Sequence, residues 1–139
     1  MSLYVLDTDM LSLYQRGDTG VCARCEAQPS DNLAVTVISV EEQLSGWYTL
    51  LRRAKKPQQL AQVYQRMTAT VRFLSRLQIL SFDEPAIAVF EQLRGLRLRI
   101  GAMDVRIAAI TRTAGGILVT RNVSDFQQVP NLVIENWSV

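Results

Sequence analysis

Five short apolar runs, each too brief for a helix, constrain this chain more than any other feature. They are residues 3–6 (LYVL), 33–38 (LAVTVI), 77–82 (LQILSF), 117–120 (ILVT) and 132–134 (LVI). Continuous apolar strands of this length, separated by helical stretches, imply a parallel sheet covered on both faces. The intervening stretches carry the helical period. Leu60, Val63, Tyr64, Met67, Val71 and Leu74 follow one apolar face, with Gln62, Gln65, Arg66, Arg72 and Arg76 on the polar side. Ile87, Phe90 and Leu93, flanked by Val89, Leu96 and Leu98, follow the start signal Asp83-Glu84-Pro85. Met103, Ile107, Ala108 and Ile110 make another helix, ended by Gly115. The expected fold is a three-layer α/β/α domain spanning residues 1–139, with a mainly parallel sheet of four to five strands. The run at 132–134 is expected at its edge.

The chain has 139 residues and no histidine. Ser-His-Asp and Cys-His hydrolases, histidine-based ribonucleases and imidazole metal sites are therefore excluded. Cys22 and Cys25 are the only cysteines, too few for a structural zinc site. They fall inside an expected helix, as thiols one turn apart. No G-x-x-x-x-G-K-[ST] or G-x-G-x-x-G occurs. Asp7-Thr8-Asp9 has the D-x-D form of aspartyl-phosphate phosphatases, but Leu11 stands where Thr or Val is needed. A receiver domain would want a late lysine, and the last one is Lys56. No apolar run approaches the ~18 residues of a membrane span, and MSLYVLDTDM lacks a basic signal-peptide start. The expected location is the cytoplasm, with no membrane partner.

Acid–base and metal chemistry must then fall to carboxylates. Charge is segregated. Residues 1–46 hold two basic against seven acidic residues, and residues 47–121 hold thirteen basic against four acidic. Ligands of open parallel sheets bind outside the carboxyl ends of the strands. Asp7 ends the first strand and Asp9 is two residues on. Glu42 is expected in the first turn of the next helix. Asp104 starts the helix after Gly101, and Asp125 follows the fourth strand. Each has a structural role available: Asp7 or Asp9 as a helix cap, Ser39-x-x-Glu42 as a capping box, Asp104 against a helix dipole, Asp125 in an Asx turn. Together they converge on one edge, where like charges repel unless a cation intervenes. An oxygen-only set suits a hard divalent ion, Mg2+ or Mn2+.

With these residues in place, the chain resembles the PIN-domain ribonucleases of the VapC type, toxins of bacterial toxin–antitoxin pairs. The resemblance rests on YVLDTDMLS at 4–12, VTVISVEEQLSG at 35–46, IGAMDVRIAA at 100–109 and LVTRNVSDFQQVPNLVIENW at 118–137. It implies that Asp7, Glu42 and Asp104 bind the metal, the spacing to Gly46 selecting Glu42 over Glu41. Either Asn122 or Asp125 fills a fourth position, with Asp125 favoured as the charged one. Many relatives have a histidine within 105–113, a position outside the metal set.

The resemblance further implies Mg2+- or Mn2+-dependent hydrolysis of RNA phosphodiesters, commonly in a tRNA, leaving a 5′-phosphate. A cognate antitoxin would block the site, and the chain would form a homodimer. Thr8, Thr120 and Asn122 could hydrogen-bond the acids or the phosphate. Arg52, Arg53, Lys55 and Lys56, and Arg94, Arg97 and Arg99, flank the acidic segments and are candidates for an RNA track. Two alternatives remain open: a non-catalytic RNA-binding or regulatory module of the same fold, and a DNA-directed nuclease.

Overall fold

The computed structural model describes residues 2–139. Strand β1 (Tyr4–Leu6) is followed by α1 (Thr8–Gln15) and α2 (Thr19–Glu26). Then come β2 (Leu33–Thr36), α3 (Val37–Arg53), α4 (Pro57–Leu74) and β3 (Gln78–Leu80). The second half comprises α5 (Glu84–Gly95), α6 (Ala102–Thr113), β4 (Ile117–Val119), α7 (Val123–Phe126) and β5 (Val133–Glu135). The five strands form one sheet in the order β3-β2-β1-β4-β5, and every pair is parallel. All five expected strands are present, and β5 lies at an edge.

The chain moves outward from β1 to β3, then crosses back to place β4 on the other side of β1. The strand order therefore reverses between β1 and β4, where a crevice opens at the carboxyl ends of neighbouring strands. Asp7 follows β1 directly, and Thr120 follows β4 directly.

Two apolar layers cover the sheet. On one face Leu118 packs with Ile38, Phe90, Leu93, Val105, Ile107 and Phe126. On the other, Leu6, Val35 and Val119 pack with Met10, Leu11, Val21, Leu74 and Trp137. Leu118 and Val119 are consecutive yet serve opposite layers, as the period of a strand requires. The glycine pair before β4 makes the fit possible. Gly115 takes a positive φ of 68° to leave α6. A Cβ on Gly116 would sit 3.0 Å from Val5 Cγ2 and 3.2 Å from the Leu3 carbonyl oxygen, so a side chain there would push β4 off β1.

Several details differ from expectation. The second strand stops at Thr36, and Val37 and Ile38 already belong to α3. The Thr36 hydroxyl accepts the Ser39 amide, so Thr36, not Ser39, is the cap. The Ser39–Glu42 capping box does not form, and Glu42 lies in the second turn of α3. In α5 the buried face is Ala86, Phe90 and Leu93, while Ile87 is exposed. In α4 the apolar periodicity is present, but Leu60, Tyr64 and Val71 are exposed and only Leu74 of that face reaches the core. Among the described residues, no helix is long and apolar enough to cross a membrane.

Candidate active site

Asp7 caps α1, its Oδ1 accepting the Met10 amide at 2.8 Å. Its other oxygen, Oδ2, accepts the Thr120 hydroxyl at 2.6 Å. Thr120 is fully buried, and its Oγ1 in turn accepts the Asn122 amide at 2.9 Å. That amide occupies a lone pair of the hydroxyl and leaves its proton for Asp7. The Thr120 amide is held by the Glu135 carbonyl at 2.9 Å, so the donor cannot drift from the acid. Cap and site residue are therefore the same side chain.

Asp7 is only 5% exposed. Burial pushes its pKa up to about 6, against the pull of the Thr120 and Met10 hydrogen bonds, and the charges of Asp9 and Asp104 add to the rise. Asp104, in the first turn of α6, is also raised, first by burial and then by Glu42 and Asp125. Five acids from four segments, Asp7 and Asp9 being on the same one, thus share one electrostatic neighbourhood.

Glu42 is fixed from α1. The Thr8 hydroxyl donates to Glu42 Oε1 at 2.6 Å, and Ser39 Oγ lies 2.8 Å from the same Thr8 oxygen. With the Thr8 proton committed to Glu42, Ser39 must be the donor to Thr8. Reciprocal amide bonds of 2.9 and 2.7 Å between Gln15 and Gln43 tie α1 to α3 beside it. Asn122 Nδ2 donates to Asp125 Oδ2 at 2.9 Å, so the two candidates for the fourth position act as one pair.

Two participants lie outside the metal and phosphate set expected from the sequence. Arg121 binds Asp9 through both Nε and Nη2, the second contact at 3.1 Å. Three consecutive residues after β4 thus each donate to a different acid: Thr120 to Asp7, Arg121 to Asp9, Asn122 to Asp125. No periodicity in the sequence marks an ion pair 112 residues apart; only the proximity of Asp9 to Asp7 and of Arg121 to Thr120 hints at it.

The donor set is all oxygen, and burial together with mutual repulsion already disfavours the charged form of Asp7 and Asp104. A hard cation would relieve both effects, so the residues fit one in charge and chemistry. Among the described residues, no three acids or thiols stand close enough, as placed, to make a formed metal cage. The Met10 amide and the Thr120 hydroxyl hold the two oxygens of Asp7, and the Thr8 hydroxyl holds one oxygen of Glu42.

A groove of about 880 Å³ runs from this centre between α1, α3 and α4. Asp9 and Glu42 line it together with Trp47, Leu50 and Phe73, and Arg16 and Arg66 bring the positive charge. The expected basic clusters do not line this groove. Arg52 and Arg53 end α3, and Gln59 Oε1 accepts the amides of Lys55 and Lys56 in the turn to α4. Arg94 lies over the Phe90 ring at 5.6 Å, Arg97 takes a left-handed φ of 54° after α5, and the Arg99 amide donates to Gln128. Cys22 and Cys25 are free thiols on α2, and burial pushes the Cys25 thiol up to about 12, which keeps it protonated.

No protein-family profile matches the chain. Single relatives do. A ribonuclease VapC2 of Haemophilus influenzae is 30% identical over 142 residues, covering 99% of this chain and 99% of its own. The chain belongs to the VapC ribonuclease family. A tRNA(fMet)-specific endonuclease VapC of Salmonella typhimurium is 33% identical over 69 residues, 47% of this chain and about half (52%) of that relative. Among solved structures, VapBC2 of Rickettsia felis bound to a promoter DNA fragment superposes with a TM-score of 0.80 at 27% identity. It covers 97% of this chain and 98% of that one. The family assignment agrees with the α/β topology.

Proposed function

We propose that this protein is a metal-dependent endoribonuclease and the toxin of a VapBC-type pair. The observation that carries this reading is a VapC-family fold in which Asp7, Glu42, Asp104 and Asp125 share one electrostatic neighbourhood, Asp104 acting on Asp7 and itself acted on by Glu42 and Asp125. Asp7 and Asp104 would hold the cation, with Glu42 as a further ligand or as the group that orients the attacking water. A bound Mg2+ or Mn2+ would supply a Lewis acid for the phosphate oxygens and lower the pKa of water. The chain's own contribution is positional. Thr120 fixes the Asp7 carboxylate, Thr8 fixes Glu42, and the Asn122 side-chain amide holds Asp125.

RNA is the proposed substrate, and a tRNA is the first to offer, given the name of the Salmonella relative. The proposed antitoxin would bring a basic side chain to the acids, because an arginine can replace the charge of the cation there. Homodimerisation is proposed from the face of α4 that carries Leu60, Tyr64 and Val71, 41%, 53% and 51% exposed in the isolated chain. Sedimentation showing only monomer at high concentration would remove the dimer.

The test is cleavage of total RNA and of single tRNAs with Mg2+, with EDTA, and by an Asp104→Asn chain. Expected are cleavage with Mg2+, none with EDTA and none with the variant, whose fold persists. Full activity in EDTA, or cleavage of DNA in place of RNA, would overturn the assignment. A chain that binds RNA without cutting it in Mg2+ would be a binding module.

A further inference from the structure

The Asp9–Arg121 pair has no evident structural need. Both side chains are about half exposed, 45% and 49%, and an exposed ion pair of this kind stabilises a fold little. The loop after β4 is already held by Thr120, whose hydroxyl, amide and acceptor lone pair are all engaged. Arg121 is nonetheless gripped through two of its nitrogens by one carboxylate. A bidentate grip on one edge of a guanidinium fixes its plane and leaves the remaining N–H groups free.

Its position gives those groups a use. Arg121 lies between Thr120, bonded to Asp7, and Asn122, bonded to Asp125. It is the cation that the loop itself places among acids which repel an approaching phosphate. Both oxygens of Asp9 are neutralised by the Arg121 guanidinium, whereas those of Asp7 accept only neutral donors, the Met10 amide and the Thr120 hydroxyl, so within the D-x-D segment Asp7 alone keeps a charge that no cation offsets.

We propose that Arg121 contacts a phosphate of the substrate beside the carboxylate centre, and that Asp9 is its positioning residue. The inference rests on the nuclease reading of this site. It adds a phosphate contact and divides the two aspartates by role: Asp7 serves the cation, and Asp9 orients the guanidinium. Arginine suits this task because its fork matches phosphate geometry, whereas a lysine supplies only the charge.

The experiment has two arms. In the first, a short single-stranded RNA oligonucleotide is titrated against chains that carry Asp104→Asn, so that binding is read without cleavage. In this background Arg121→Gln should weaken affinity roughly tenfold, the scale of removing one charged hydrogen bond. It should also reduce the salt slope by about 0.7, the value for one phosphate of a single strand. Arg121→Lys should restore the slope but only part of the affinity. Asp9→Ala should weaken binding in the same direction, and adding it to Arg121→Gln should cost nothing more, because the two residues act as a unit. In the second arm, cleavage by Arg121→Gln with Asp104 intact should show KM raised more than kcat is lowered.

Tighter RNA binding by Asp9→Ala or Asp9→Asn would overturn the proposal, since Asp9 would then merely neutralise a cation. Unchanged KM and salt slope in Arg121→Gln would also overturn it. If Arg121→Gln does not fold, Arg121→Lys and Asp9→Asn, which keep hydrogen-bonding groups, carry the same comparison. Failure of the nuclease reading looks different: the unmodified chain would not cut RNA in Mg2+, while the binding arm would still report on Arg121.

Discussion

The Thr120 hydroxyl donates to Asp7 Oδ2 at 2.6 Å although 113 residues separate the two. It joins the ends of β1 and β4, the neighbouring strands on either side of the switch point. Replacing Thr120 with Val keeps the shape, removes the donor to Asp7 and leaves the Asn122 amide without its acceptor. The cost to stability should be about 1–3 kcal/mol, the range for unsatisfied buried groups. Cleavage should fall by about 10–100-fold, as when groups that orient metal ligands are removed. Thr120→Ser should recover most of both. Activity of Thr120→Val equal to the parent would detach this hydroxyl from the chemistry.

Glu42 separates structure from function cleanly, because its helix is capped by Thr36. Glu42→Gln removes a charge but keeps an oxygen for the Thr8 hydroxyl. Stability should stay within about 0.5 kcal/mol, the usual range away from core, cap or buried-network changes. Cleavage should be abolished. Chemical denaturation and an RNA cleavage assay on the same preparation decide the matter, and an active Glu42→Gln enzyme would make Glu42 a structural residue only.

The sheet is legible in the sequence because each strand is a continuous apolar run, and the acids are legible because they sit where such runs end. The second strand reads too long because Val37 and Ile38 are β-branched, and nothing local outweighs that preference until the Thr36 hydroxyl meets the Ser39 amide. The face of α4 is apolar in sequence and in structure, yet periodicity cannot say whether a partner covers it. Ala86 is masked by Ile87, since a small side chain gives little hydrophobic signal but fits the tight packing of α5 on α6. The pairing of Asp9 with Arg121 is invisible for another reason: a pair formed across the sheet leaves no spacing pattern.

The pKa of Asp7, pushed up to about 6 from an ordinary 3.8, fixes the sign of a pH effect. The metal-free fold prefers the neutral carboxyl. That preference contributes fully below about pH 4 and is lost as pH rises through about 6, a change on the order of 2–3 kcal/mol. The metal-free protein should therefore lose stability as pH rises through this window, and Asp104 shifts in the same direction. Mg2+ should raise Tm more at about pH 7.5 than at about pH 5, because only the ionised acids can hold it. Melting curves of the parent and Asp7→Asn with and without EDTA test this. A pH response identical in both chains would remove Asp7 as its source.

Two sets of cations compete for the role of RNA track. Arg16 and Arg66 line the groove that reaches Glu42. Arg52, Arg53, Lys55 and Lys56 lie at the far end of α3, about 15–20 Å from Glu42 at ~1.5 Å per residue. A short oligonucleotide engaged at the acids would reach the first set, whereas a folded RNA could span both. Replacing Arg16 and Arg66 with Gln should weaken binding of the short and the folded substrate alike. Replacing the other four should weaken only the folded one, and reduce its salt slope by about 0.7–0.9 for each phosphate no longer neutralised. All four are exposed, and the turn that carries Lys55 and Lys56 is fixed through backbone amides by Gln59, so the folded state should be unaffected. Affinities of a tRNA and of a short oligonucleotide at several salt concentrations provide the comparison. Equal slopes for the parent and the fourfold variant on tRNA would leave the α3–α4 turn a solvated helix end and confine the track to the groove.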